Sequence, residues 1–301
     1  MTTDHTATSA SATSSAGSAD GAVAGGSAGP AAASSGVTAG AAAVAASPLA
    51  ARELRAGYGA RSVLDGISLD IEPGGFTAII GPNACGKSTL LRAFSRLLKP
   101  QGGSIILDGK DISSYRTKEV ARRLGLLPQS SVAPDGIGVR DLVARGRYPH
   151  QSLFSQWSRE DEEAIDAALA RTGTTDLADR FVDELSGGQR QRVWIAMVLA
   201  QDTDVLLLDE PTTYLDITHQ LEVLRIADDL RREGRTVVAV LHELALAARF
   251  ATDLVAMRDG EIRFRGAPTD VVTPESLRDV FDLECRVIAD PDLGCPVVLP
   301  S

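Results

Sequence analysis

The chain has 301 residues and a formal net charge of −10 at pH 7, and 44% of its residues are hydrophobic. This length suits one large globular domain or two modest ones, and the acidic balance argues against DNA or RNA as a partner. The three cysteines, Cys85, Cys285 and Cys295, are too few and too scattered for a disulfide framework or a metal cluster. We predict that they are reduced, with a Cys285–Cys295 pair as the alternative. No run of residues approaches the roughly 18 apolar positions of a membrane-spanning helix.

Residues 1–48 consist almost entirely of Ala, Ser, Thr and Gly, and no Lys or Arg precedes Arg52. A secretory signal needs a positively charged start and an apolar stretch, and both are missing. A segment of this composition buries too little apolar surface to offset the entropy of ordering. We therefore predict a disordered tail over 1–48 and one folded domain over 49–301.

Short apolar runs that end in turn residues predict strands along the rest of the chain. The predicted strands are residues 51–56, 63–71, 76–80, 104–107, 124–127, 205–208 and 236–241. The predicted helices are residues 88–98, 139–146, 159–171, 217–232 and 243–250, with one more that follows Gly188 and runs through Ala200. Strands that alternate with helices indicate an α/β domain with a mostly parallel sheet. The helix-rich stretch at about 130–190 interrupts this alternation, so we predict an inserted helical subdomain there.

A glycine-rich segment between a predicted strand and a predicted helix matches G-x-x-x-x-G-K-[ST] in full. It comprises Gly81, Pro82, Asn83, Ala84, Cys85, Gly86, Lys87, Ser88 and Thr89. Glycines allow the backbone to wrap a phosphate, and the helix that follows adds free N–H groups and its positive dipole end. We predict that Lys87 reaches the β- and γ-phosphates of ATP and that the Ser88 hydroxyl binds Mg²⁺. The alternative is a glycine-rich turn that binds no ligand.

Two adjacent carboxylates, Asp209 and Glu210, follow the apolar strand at 205–208. Buried parallel strands deliver their last residues to the sheet edge at which ligands bind. We predict that Asp209 holds Mg²⁺ through water and that Glu210 is the general base for the attacking water. A solvated strand end is the alternative if the pair is considered without the glycine-rich loop.

The pentapeptide Leu185-Ser186-Gly187-Gly188-Gln189 lies between the loop and the carboxylates, and it resembles the signature of ATP-binding-cassette (ABC) ATPases. The resemblance extends from about Leu49 to the end of the chain. It implies a P-loop NTPase fold with a RecA-like core, an antiparallel β subdomain and an inserted α-helical subdomain. It also implies that Ser186, Gly187, Gly188 and Gln189 bind the γ-phosphate held by another subunit, in a homodimer that sandwiches two ATP molecules.

Four further positions match the family pattern. Tyr58 corresponds to the aromatic residue that stacks on adenine, and Gln129 to the glutamine that contacts Mg²⁺. Asp216 corresponds to the aspartate that crosses the dimer interface, and His242 to the histidine that contacts the γ-phosphate. The resemblance therefore implies that Glu210, His242 and Lys87 carry out catalysis.

Other segments resemble the ATPase subunits of iron–siderophore, haem and cobalamin importers. They are Arg145 to His150, Val193 to Gln201 and Asp209 to Gln220. The first lies where the family docks its integral membrane permease, which in turn works with an extracellular substrate-binding protein. We therefore expect a peripheral subunit on the cytoplasmic face of the plasma membrane, with a ferric siderophore as the cargo. Haem, cobalamin and a separate-subunit exporter are the alternatives.

Other uses of the same ATPase head fit the chain less well. Repair proteins insert a long coiled coil between the phosphate loop and the signature, and the interval from Lys87 to Ser186 is too short for one. Translation factors fuse two cassettes, and this chain has one.

Two positions depart from the family pattern, since Ala84 replaces a usual glycine and Glu243 replaces a usual aspartate. Ala84 is harmless at negative φ but costs about 1 kcal/mol or more at positive φ.

Overall fold

The computed structural model describes residues 47–130, 132–151, 157–213 and 215–301. Nearly all of the predicted tail over 1–48 therefore lies outside the described residues, as does Tyr214. Within these residues the strands are β1 Leu49–Tyr58, β2 Arg61–Asp70, β3 Phe76–Ile80, β4 Gly102–Leu107, β5 Lys110–Asp111, β6 Leu124–Leu127, β7 Val205–Asp209, β8 Thr236–Val240, β9 Asp253–Arg258, β10 Glu261–Gly266, β11 Cys285–Ala289 and β12 Pro296–Pro300. The helices are α1 Lys87–Phe94, α2 Thr117–Ala121, α3 Val139–Ala144, α4 Arg159–Arg171, α5 Gly187–Ala200, α6 Ile217–Arg232, α7 Leu244–Phe250, α8 Pro268–Val271 and α9 Pro274–Phe281.

A six-stranded sheet forms the centre of the domain, in the order β10-β9-β3-β8-β7-β6. All neighbouring strands are parallel except the edge pair of β10 and β9. Every residue of β3, β7 and β8 is buried, which agrees with their continuous apolar sequences. Ile79 and Asp209 both pair with Val240 on β8. The loops that follow β3, β7 and β8 therefore meet at one edge of the sheet.

A second sheet is antiparallel and has the order β2-β1-β4-β5. Its apolar side chains share a buried cluster with α1 and with one face of the central sheet. Residues such as Leu54 and Leu64 from the second sheet contact this cluster together with Phe94 and Val240. The antiparallel sheet therefore packs directly against the helix that follows the glycine-rich loop.

The stretch from about 130 to 190 contains α3 and α4 and leads into α5. Two backbone hydrogen bonds join the beginning of this stretch to its end. The Val139 N–H donates to Arg180 O at 2.9 Å, and the Val182 N–H donates to Ile137 O at 3.0 Å. Ile165 and Leu169 of α4 are buried in the same apolar cluster as α5 and the central sheet. The division of the domain at these residues stays a prediction.

Several element boundaries differ from those predicted. Helix α1 ends at Phe94 rather than at residue 98, because Arg96 adopts a left-handed φ of 62° that terminates the helix. Helix α2 was not predicted; it is a short polar helix in which Glu119 Oε2 accepts from the Arg116 N–H at 2.7 Å. The antiparallel hairpin of β11 and β12 was not predicted either.

The hairpin excludes the alternative of a disulfide between Cys285 and Cys295. Cys285 pairs with Pro300 at one end of the ladder, whereas Cys295 directly precedes Pro296 at the other end. At about 3.4 Å per residue this separation is well beyond the roughly 7 Å Cα limit for a disulfide. All three cysteines are free.

Candidate functional site

The glycine-rich loop turns sharply from β3 into α1. Gly81 has a φ of 150°, and a Cβ at this position would lie 2.2 Å from the carbonyl oxygen of Met257. Gly86 precedes the first residue of α1 with a φ of 110°, and a Cβ there would lie 2.6 Å from Leu64. Both positions therefore require glycine, and the backbone N–H groups at the start of α1 remain turned toward the loop.

Lys87 lies inside this loop. The residue is only 5% exposed, and its Nζ donates to the carbonyl oxygens of Gly81 at 2.8 Å and of Pro82 at 2.9 Å. These bonds hold the ammonium group in the concave side of the loop, where it adds positive charge to the N-terminus of α1. The arrangement suits a bound anion.

Ser88 and Asp209 meet across the junction of α1 and β7. The Ser88 Oγ donates to Asp209 Oδ1 at 2.9 Å. Burial raises the pKa of the Asp209 carboxyl; the Ser88 hydrogen bond opposes this rise, and the nearby Glu210 charge adds to it. A hydroxyl and a carboxylate are hard oxygen ligands of the kind that Mg²⁺ prefers, so this donor set fits a magnesium ion.

Glu210 accepts hydrogen bonds from two side chains and lies close to a third. Its Oε2 accepts from Gln129 Nε2 at 2.7 Å and from Thr213 Oγ1 at 3.2 Å. Its Oε1 lies 2.7 Å from His242 Nε2. The backbone of Glu210 is in the left-handed region with a φ of 54°, an unfavourable conformation for a non-glycine residue that is typical of functional sites. The carboxylate is thereby fixed at the edge of the central sheet.

These groups line one open cavity of ≈ 760 Å³. The lining residues are Tyr58, Arg61, Val63, Asn83, Ala84, Gly86, Lys87, Ser88, Thr89, Gln129, Glu210, Thr213 and His242. A groove of ≈ 820 Å³ elsewhere shares none of them, and its arginines are ion-paired, Arg258 with Asp282 and Arg263 with Asp279. The smaller cavity is therefore the candidate site.

Four predicted loop or sheet-edge residues, Gly81, Pro82, Cys85 and Asp209, do not line the cavity. Cys85 is buried beneath the loop, and burial raises the pKa of its thiol. Pro82 contributes its carbonyl oxygen to Lys87, and Asp209 reaches the site through Ser88. The remaining predicted loop residues line the cavity, and their roles in binding ATP stay predictions.

Four residues near the cavity were not predicted. Arg61 pairs with Tyr58 in the β1–β2 hairpin, and Val63 lies two residues further along β2. Pairing of the two strands next to Tyr58 could therefore have indicated that both residues lie near the site. Thr213 is held by Glu210. Arg92 of α1 donates to the Tyr58 hydroxyl at 2.9 Å, a contact that depends on tertiary structure and has no signal in the sequence.

The signature residues lie apart from this cavity. Ser186 caps α5, because its Oγ accepts from the Gln189 N–H at 3.3 Å and its own N–H donates to Gln189 Oε1 at 3.1 Å. Ser186 and Gly187 are exposed, and a Cβ at Gly188 would lie 3.2 Å from the ring of His219. The structure therefore does not bring the signature to the glycine-rich loop of the same chain.

Asp216 lies beside the signature. It caps α6 and accepts from the His219 N–H at 3.0 Å, a bond that holds the pKa of the Asp216 carboxyl below its ordinary value. The His219 ring, which lies beside Gly188, is also 2.8 Å from the same carboxylate oxygen through Nδ1. The predicted site residues thus form two groups, one in the cavity and one around Ser186 and Asp216.

Comparison with known proteins identifies the family. The family model described as ABC transporter matches residues 64–213. Ferric enterobactin transport ATP-binding protein FepC of Escherichia coli is 54% identical over 253 residues, which cover 84% of this chain and 93% of that protein. The chain belongs to the family of ABC transporter ATP-binding proteins.

Other relatives agree with this assignment. Petrobactin import ATP-binding protein FpuD of Bacillus anthracis is 51% identical over 253 residues, again covering 84% of this chain and 93% of that protein. An inward-facing ABC transporter described as metal-chelate type has a TM-score of 0.72 at 28% identity, over 84% of this chain and 97% of that one. A dimeric bacterial ABC transporter cassette has a TM-score of 0.65 at 26% identity, over 73% and 98% respectively.

The predicted family, fold class and ATPase activity are confirmed: the chain is an ABC cassette that binds and hydrolyses ATP. None of the helices among the described residues combines the length and apolarity that crossing a bilayer requires. The docking role of the segment from Arg145 to His150 stays a prediction. Arg147 is buried and forms an ion pair with Asp161 at 2.7 Å rather than facing a partner, whereas Arg145 and Tyr148 are exposed.

Ala84 adopts a φ of 63°, the unfavourable case considered above. Ala84→Gly should therefore stabilise the cassette by up to about 1 kcal/mol, which raises the Tm by about 2–4 °C in a domain of this size. Differential scanning calorimetry without nucleotide measures this shift. Ala133→Gly, at a position with no left-handed φ, is the matched control and should not raise the Tm. A lower Tm for Ala84→Gly would contradict the assigned backbone conformation.

Proposed function

We propose that two copies of this ABC cassette bind two ATP molecules between them, head to tail, and drive an importer of ferric siderophores. The division of the site residues into two groups carries the first part of this proposal. The cavity holds Lys87, Ser88, Glu210 and His242, whereas Ser186 and its helix N-terminus lie outside it. A second copy that covers the cavity with its own signature would supply the missing anion site.

The surface around the signature supports such an interface. Ser186, Gly187 and Asp216 are exposed, and Ile217 beside Asp216 is 70% exposed. Exposed apolar side chains grouped with polar residues are typical of interaction surfaces. A similar cassette has been solved as a dimer. Asp216 and Ile217 would then contact the other copy, as predicted for Asp216 from the sequence.

Hydrolysis follows from the groups in the cavity. The glycine-rich loop and Lys87 hold the ATP phosphates, and Tyr58 stacks on adenine. Glu210 accepts a proton from the attacking water as the water oxygen bonds to the γ-phosphorus, and the bond to the ADP oxygen breaks. His242 and Gln129 orient the Glu210 carboxylate, and His242 stabilises the γ-phosphate in the transition state. Ser88, Asp209 and Gln129 would hold Mg²⁺, which would neutralise part of the negative charge of the phosphates.

The cargo and the partners are inferred from relatives. FepC is a ferric enterobactin transport protein and FpuD a petrobactin import protein, and each matches this chain at more than half of the aligned positions. We infer the same cargo class, a ferric siderophore, for the importer that this chain drives. Its partners would be integral membrane permease subunits and, through them, an extracellular substrate-binding protein. The cassette would then lie on the cytoplasmic face of the plasma membrane.

Growth of a deletion strain of the native host tests the cargo class. With a ferric siderophore as the only iron source, we expect growth to stop and a wild-type copy to restore it. With haem as the iron source, or under conditions that require imported cobalamin, growth should be normal. Normal growth on ferric siderophores combined with failure on haem or cobalamin would reassign the cargo while leaving the ATPase assignment in place.

A further inference from the structure

The carboxylate of Glu243 connects segments that carry three different site residues. Glu243 directly follows His242 and precedes α7, but its side chain does not cap that helix. Its Oε2 accepts from Thr212 Oγ1 at 3.3 Å, and its Oε1 accepts from Gln220 Nε2 at 3.2 Å. One carboxylate thus joins the loop after β8 to the loop after β7 and to the first turns of α6.

The two donors are themselves tied to the site. Thr212 is 2% exposed and lies two residues after Glu210. Gln220 Nε2 also donates to Thr212 O at 3.4 Å, and the Gln220 N–H donates to Asp216 O at 2.9 Å. A shift of the Glu243 carboxylate would therefore displace Glu210 through Thr212 and Asp216 through Gln220.

We propose that Glu243 is a positioning residue that sets the His242–Glu210 contact and the approach of Asp216 to the other copy. This inference rests on the proposed function of Glu210 and His242 in hydrolysis. Glu243 does not line the cavity, so it acts only through its neighbours. An ionised carboxylate is an acceptor at both oxygens and satisfies both donors at once. Its side chain also spans two donors on separate elements, a reach that the shorter aspartate would reduce by one methylene.

The test compares variants that preserve shape but change the hydrogen bonds. Glu243→Gln replaces one acceptor oxygen with an NH₂ group that faces a donor, and Thr212→Val removes the hydroxyl without changing the volume much. We expect each to lower kcat roughly 10-fold while the KM for ATP changes less than about 2-fold, because the reacting groups are misaligned but the nucleotide contacts remain. Thr212→Ser keeps the hydroxyl and should retain nearly the wild-type kcat.

A double variant separates positioning from general loss of structure. If Thr212 and Glu243 act as one unit, the kcat of Thr212→Val/Glu243→Gln should be no lower than that of the more severe single variant. Glu160→Gln, an exposed carboxylate on α4, is the matched control and should leave kcat unchanged. Circular dichroism and Tm confirm that each variant is folded.

The outcomes distinguish this inference from the proposed function. Wild-type kcat in Glu243→Gln, a change confined to KM, or additive losses in the double variant would overturn the positioning role. Glu210→Gln is assayed in parallel: full turnover by that variant would overturn the proposed function itself. An inactive Glu210→Gln together with an unaffected Glu243→Gln would overturn the role of Glu243 alone.

Discussion

Glu210→Gln should lower ATP turnover by at least about 100-fold while ATP still binds, since a positioned general base contributes typically 10²–10⁴-fold to rate. The amide cannot take up the proton of the attacking water. It also replaces one carboxylate oxygen with an NH₂ group, which then faces either the donors Gln129 and Thr213 or the nearby His242 Nε2. Phosphate release and equilibrium nucleotide binding, measured on the same preparation, separate the two effects.

The same variant tests the dimer. With hydrolysis blocked, ATP and Mg²⁺ should convert Glu210→Gln to a stable dimer that holds two nucleotides, as seen by sedimentation velocity. Adding Ser186→Arg fills the exposed helix N-terminus with a bulky cation and should prevent the dimer while each chain still binds ATP. Turnover at the wild-type rate in Glu210→Gln would show that another group is the base.

Arg147→Ala should destabilise the cassette by roughly 3–5 kcal/mol, because it leaves a buried carboxylate without its partner. Arg147 Nε lies 2.7 Å from Asp161 Oδ1, Arg147 Nη1 donates to Ala200 O at 2.8 Å, and both side chains are less than 10% exposed. In a domain of this size the loss corresponds to a fall in Tm of about 6 °C or more. Thermal denaturation measures it, with exposed Arg145→Ala as the control that should change Tm little.

The Arg147–Asp161 ion pair should make the stability of the cassette depend on pH. Burial alone would raise the pKa of Asp161, but hydrogen bonds from Arg147 and from Ser158 outweigh it and hold the pKa below its ordinary value. The ion pair therefore stabilises the wild-type cassette above the unfolded-state pKa of an aspartate, and this stability is lost as pH falls through the lower folded-state value. The Tm difference between wild type and Arg147→Ala should shrink under acidic conditions. A difference that is constant with pH would contradict an ionic role.

The sequence predicted best what depends on short-range pattern. The apolar runs of β3, β7 and β8 place Lys87, Glu210 and His242 after three buried strands, and parallel pairing then brings these residues together. The bounds predicted for α4 also agree with the structure, because helix start signals are local: Ser158 caps the helix and acidic residues occupy its first turn.

What the sequence could not show depends on contacts between distant residues. Arg147 belongs to a segment that was expected to mark a docking surface, and only the packing of α4 against α5 reveals that it is buried. The link from Glu243 to Thr212 spans 31 positions and that from Arg92 to Tyr58 spans 34. The positive φ of Ala84 follows from the three-dimensional course of the loop rather than from the residue itself.

Uptake of ⁵⁵Fe-siderophore by cells tests most directly that ATP hydrolysis on this chain drives import. A deletion strain carries either the wild-type gene or Lys87→Ala, at protein amounts matched by immunoblot. Lys87 lies in the phosphate loop and donates to two of its carbonyl oxygens. We therefore expect uptake to be lost in the deletion strain and with Lys87→Ala, and to be restored by the wild-type gene. Uptake at the wild-type rate with Lys87→Ala would contradict the central claim that this ATPase energises siderophore import.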